Sequence, residues 1–137
     1  MVRLPIVALG SLLATAALAD PCKAIPDRGP MPAHLAPGRT FTGPVTYVGD
    51  GDSLCVALGR SPSEWVEVRL ADFYAPELQA PGGEQAKAML DRIVRGREVS
   101  CVAQHRSYDR LVAVCRLRGS SLGDLMRRAG VREGGNR

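Results

Sequence analysis

Aromatic residues are scarce in this chain: one Trp, three Tyr and two Phe, 4% of 137 residues. That scarcity argues against a base-stacking surface built from many rings. Lysine is scarcer still. Of 18 basic residues only Lys23 and Lys87 are lysines, so the net charge of +4 is carried by arginine. No C-x-x-C pair and no internal repeat occur, and the only long apolar run is at the N-terminus. Beyond that run the hydrophobic share falls to about 41%, still enough for one core. The composition rules out a coiled coil, a collagen-like chain and a wholly disordered polymer.

What is present begins with residues 1–19, in which 14 residues are apolar. Arg3, the run from Leu4 to Leu18, and Ala17-Leu18-Ala19 before Asp20-Pro21 read as a cleaved secretory signal. A spanning helix needs about 20 apolar residues, and Pro5, Gly10, Ser11 and Thr15 interrupt a shorter run. The expected mature chain is secreted or periplasmic, and free of the membrane once the signal is removed.

In an oxidising compartment an even number of cysteines favours disulfides over metal. Cys101 and Cys115 lie in two apolar runs separated by a polar turn, so a hairpin would bring their sulfurs together. That leaves Cys22 to reach Cys55, tying the N-terminal segment to the domain. Residues 20–43 hold prolines at 21, 26, 30, 32 and 37 without apolar periodicity, and are expected to form an irregular arm.

From Pro44 the pattern becomes that of strands: Val45–Val48, the turn Gly49-Asp50-Gly51, then Ser53–Leu58. Trp65–Leu70 alternates, with Val66, Val68 and Leu70 on one face and Glu67 and Arg69 on the other. A helix opens at Gly82-Gly83-Glu84, shows one apolar face through Ala86, Met89, Leu90, Ile93 and Val94, and stops at Gly96. The Cys101 and Cys115 strands follow, then a short helix from about Ser121 to Ala129 and a tail over 132–137. The class is α+β dominated by β: a five-stranded OB-type barrel over 44–131, with one helix between strands 3 and 4 and a short C-terminal helix.

Three charged clusters stand where such a barrel gathers its loops. Asp50-Gly51-Asp52-Ser53 sets two carboxylates around a glycine that allows a tight turn, oxygen chemistry that suits a hard cation. Val68 to Glu77 carries Arg69 out of a strand and Glu77 behind Pro76. Ser107-Tyr108-Asp109-Arg110 stands at the mouth of the hairpin. Taken singly, each has a plain structural reading: a hairpin turn, an Arg69–Glu77 surface pair, an arginine capping a hairpin.

In this order and spacing the clusters resemble the thermonuclease family, the staphylococcal-nuclease-like phosphodiesterases. The shared motifs are the D-G-D-[ST] turn, the R-L-x(5)-P-E run, the helix opened by G-x-x-A and the Tyr-x-Arg hairpin, spanning about Val45 to Val131. The resemblance implies a calcium-dependent endonuclease acting on DNA or RNA. Asp52 would bind the calcium, with Asp50 and Asp72 as spare carboxylates. Glu77 would orient or deprotonate the attacking water. Arg69 and Arg110 would hold the phosphate, and Tyr108 would join them in binding substrate. The chemistry stands on its own as well: arginine forks and a cation stabilise the charge that grows on the non-bridging oxygens as water attacks.

The chain departs from the family pattern in four places. Tyr74 replaces the aspartate that usually stands three residues before the P-E glutamate as a second metal ligand. Asp109 replaces the usual glycine of the hairpin, the usual Asn has no counterpart near Gly123, and the family's last helix is missing. The arm held by Cys22 is then expected to cover the barrel instead. These departures keep a second reading open, a catalytically inactive nuclease-like OB-fold binding module of the periplasm. A third is a disulfide-stapled interaction domain of an envelope assembly.

Overall fold

Five prolines keep residues 20–39 out of regular structure apart from one 3-10 turn at Ala33–Leu35. The computed structural model describes residues 20–134; the expected signal over 1–19 lies outside the described residues, as do 135–137. The arm is part of the domain. Ile25 and Leu35 are buried in the same core as the strands, and the Lys23 and Ala24 amides donate to the carbonyls of Pro62 and Trp65. Each large apolar side chain buried in this way contributes about 1.5–3 kcal/mol.

Strand β1, Thr40–Asp50, starts four residues before Pro44, the expected start of the barrel. Its first part, Thr40 to Pro44, pairs with β4 (Glu98–Ser107), and its second, from Val45, pairs with β2 (Ser53–Ala57). One strand thus serves two neighbours, which neither half shows in its periodicity. Every residue of β2 is buried, and Leu58, expected to extend it, lies exposed just beyond. Strand β3, Trp65–Leu70, buries Val66, Val68 and Leu70 and turns Glu67 and Arg69 outward, as its alternation predicts.

Helix α1, Gly83–Val94, buries Ala86, Leu90 and Val94 along one face. Strand β5, Arg110–Leu117, returns beside β4 with Cys101 opposite Cys115. A two-residue strand β6, Ser120–Ser121, leads into helix α2, Leu122–Arg128, where the Ser121 side chain accepts a hydrogen bond from the Asp124 amide at 3.1 Å. Such caps stabilise a helix by about 1 kcal/mol.

The strands run in the order β3-β2-β1-β4-β5-β6, and β3 pairs in parallel with β5 to close a five-stranded mixed barrel. With α1 between β3 and β4, this is the expected OB-type architecture. Disulfides join Cys22 to Cys55 and Cys101 to Cys115, the expected pairing, and two such bridges fit an oxidising compartment. Among the described residues no helix is long and apolar enough to cross a membrane.

Candidate functional site

The β1–β2 turn, the end of β3 and the β4–β5 hairpin meet at one end of the barrel. Gly51 sits in the first of these with a φ outside the left-handed region. Its glycine is required by packing: an added Cβ would lie 2.6 Å from the Cβ atoms of both Ala75 and Ala86. The turn is therefore pressed against α1 and the segment after β3.

Asp50 and Asp52 flank this contact. The Asp50 carboxylate accepts from the Asp52 amide at 3.0 Å and from the Ser53 hydroxyl at 2.8 Å. Burial pushes its pKa up, but hydrogen bonding to the Asp52 carboxyl, those two hydrogen bonds and the charge of Arg110 together hold it below the ordinary carboxylate range. Asp52 is buried and its Oδ2 accepts from the Ala75 amide at 2.9 Å. Burial, then hydrogen bonding to Asp50 and the charge of Asp50, push Asp52 up to about 7 against the opposing pull of Arg69. The two carboxyls form one pair in which Asp52 keeps the proton longer.

Arg69 pairs with Asp52 at 3.3 Å, not with Glu77. Its Nη1 also donates to the carbonyls of Leu70 and Phe73, the latter at 3.1 Å. Its guanidinium lies 4.6 Å from the centroid of the Tyr74 ring. Tyr74 thus presents a flat aromatic face to Arg69 where the resemblance would place a carboxylate on a cation. Its amide and carbonyl are held by Glu133 and Gly134 in the segment after α2.

Asp72 packs on the first turn of α2. A Cβ at Gly123 would fall 2.4 Å from its Oδ2, and its Oδ1 is buried without a hydrogen-bond partner among the described residues. A carboxylate there complements the N-terminal end of the helix. Glu77 stands exposed on the loop before α1, and its side chain makes no hydrogen bond or ion pair among the described residues.

Arg69 and Arg110 line one cleft of about 280 Å³, together with Tyr74, His105 and Ser107. His105 reaches it after a bulge in β4: Ala103 faces Ala113 and His105 faces Val112, which leaves Gln104 unmatched and resets the side-chain alternation. Tyr108 is 85% exposed at the hairpin tip.

On the other side of Arg110 lies a second cavity of about 210 Å³, walled by Asp20, Asp50, Glu67 and Tyr47 among others. Burial, hydrogen bonding to Asp20 and the charges of Asp20 and Asp109 push Glu67 up to about 8, with Arg110 opposing. Asp20 and Glu67 carry no motif, so the sequence offered no signal for this pair; the Cys22–Cys55 bridge brings the arm to it.

Asp50 and Asp52 could hold a hard divalent cation. Burial first, and then the neighbouring Asp50 carboxyl, raise Asp52, and a cation bound there would oppose both by favouring the charged form. The fit is that of a weak site. Arg69 already neutralises Asp52, Tyr74 supplies no charged oxygen, and Asp72 is engaged at α2.

No protein-family model and no curated protein matches this chain.

Proposed function

We propose that this chain is an exported endonuclease that hydrolyses nucleic-acid phosphodiester bonds. The observation that carries the reading is the convergence of Arg69 and Arg110 on one cleft beside the Asp50–Asp52 pair. Guanidinium forks match the oxygens of a phosphodiester, and two of them strengthen their hold as charge builds on the non-bridging oxygens. Glu77 orients the attacking water and takes its proton. The new P–O bond forms as the ester P–O bond breaks, and the departing oxygen takes a proton from solvent, leaving a phosphomonoester and a free hydroxyl. Tyr108, exposed at the hairpin tip, contacts the substrate strand. Asp52, with help from Asp50, would hold a calcium ion weakly, and the ion would supply further positive charge to the reaction.

Export is supported by the two disulfides and by the signal-like sequence of residues 1–19. The intact mass of the exported protein should place the mature start at or near Asp20.

The test is hydrolysis of denatured DNA and of RNA, with calcium and with chelator. Glu77→Gln, Arg69→Ala and Arg110→Ala should each lose about a hundredfold or more in rate while keeping the fold. Unchanged hydrolysis in all three would remove the mechanism.

One feature favours the second reading, a binding module without turnover. Arg69 is already engaged by Asp52, by two carbonyls and by the Tyr74 ring. Oligonucleotide binding by the parent protein with no hydrolysis in calcium would select that reading.

A further inference from the structure

Arg106 belongs to none of the motifs described above, yet its guanidinium joins three pieces of backbone. Nε donates to the Tyr108 carbonyl at 2.6 Å, Nη1 to the Gly29 carbonyl at 2.6 Å, and Nη2 to the Pro26 carbonyl. All three acceptors are neutral, and Arg106 pairs with no carboxylate among the described residues. A fork used in this way fixes geometry and leaves the charge unneutralised.

The turn it holds is a strained one. Ser107 pairs with Arg110 across a two-residue loop, and Tyr108, the first loop residue, has φ +56°. Asp109 is not in the left-handed region, so the loop follows the type II′ pattern, whose first position is normally glycine. Tyrosine persists there only when its surroundings over-determine the conformation. The other end of the clamp is anchored too: the arm is held by the Cys22–Cys55 bridge and by the buried Ile25.

We propose that Arg106 is the positioning residue of the substrate hairpin. It ties the strained Tyr108 turn to the N-terminal arm, so that Tyr108 projects outward and Arg110 enters the cleft. The arm thereby becomes a support for the site as well as a cover for the barrel. This deepens the nuclease reading and rests on it for the identity of the substrate; the clamp itself does not depend on turnover.

Amide hydrogen exchange on the oxidised, full mature chain separates the two. In Arg106→Ala, the Arg110 amide in the pair that closes the turn and the arm amides of Ala24 and Leu35, which donate to the carbonyls of Trp65 and Pro32, should exchange roughly tenfold faster or more, with the remaining β4–β5 ladder unchanged. Arg106→Lys keeps the charge but cannot reach three carbonyls, and should behave like the alanine variant. Adding Tyr108→Gly to Arg106→Ala removes the strain, and should restore protection in the turn but not in the arm. On single-stranded oligonucleotide, Arg106→Ala should raise KM about tenfold and lower kcat as well, by less than the roughly hundredfold loss of Arg110→Ala. Unaltered exchange in both single variants would overturn the clamp, as would full rescue by lysine. Altered exchange beside a parent that neither cleaves nor binds oligonucleotide would leave the clamp standing and remove the nuclease reading.

Discussion

Glu67 gives the chain an unusual dependence of stability on pH. Its burial, its hydrogen bond to Asp20 and the charges of Asp20 and Asp109 raise it from an ordinary 4.5 to about 8 against the pull of Arg110. Between these values the native protein keeps a proton that the unfolded chain releases. Stability from this group is therefore complete below about pH 4.5 and is lost as pH rises toward 8. A shift of this size corresponds to about 5 kcal/mol at about 1.4 kcal/mol per pH unit, but solvent reaches half of the group, and screening brings the expected effect down to about 1–2 kcal/mol. Glu67→Gln replaces the protonated acid with a neutral isostere that can still hydrogen-bond to Asp20. At pH 8 it should raise Tm by roughly 5–10 °C, and at pH 5 by almost nothing. Calorimetry of parent and variant at both pH values, without reductant, measures the difference of differences. A variant that lowers Tm at pH 8, or shifts it equally at the two pH values, would refute the reasoning.

Other consequences are as direct. Peptide mapping without reduction should recover Cys22–Cys55 and Cys101–Cys115; removing either bridge should cost about 3–4 kcal/mol, more for the 33-residue separation than for the 14-residue one. Gly51→Ala must force apart Ala75 and Ala86, and should cost about 1–3 kcal/mol in thermal denaturation. Tyr74→Asp should tighten calcium binding and raise hydrolysis, while Asp52→Asn abolishes both, as read by calorimetric titration. Tight binding by the parent, unchanged in Tyr74→Asp, would show that position 74 has no part in a metal site.

Local pattern was sufficient for much of the fold. The alternation of Trp65–Leu70 needs only a period of two, and α1 only one apolar stripe and a following glycine, because each of those elements packs a single face on one core. The pairing of Cys101 with Cys115 was legible for the same reason, since two short apolar runs around a polar turn have one economical way to meet. The candidate residues Asp52, Arg69 and Arg110 were visible as charged groups at the ends of strands, and Glu77 as a carboxylate behind Pro76.

Their partners were not. β1 begins inside the proline-rich arm because its first residues pair with β4, a strand more than fifty residues away, and no local period encodes that. Arg69 takes Asp52 in place of Glu77, and Asp72 turns to α2, because the chain bends after Leu70 and the two faces of a strand lose their meaning at a bend. Gly51 reads in sequence as a turn residue, but the reason for it is Ala75 and Ala86 against its Cα. Burial next to like charge raises Asp52 and Glu67, and Arg106 finds its three carbonyls only when arm and hairpin are side by side. Sequence carries the residue types and the short-range periods; the distances between charges belong to barrel closure, which brings together residues that the chain keeps far apart.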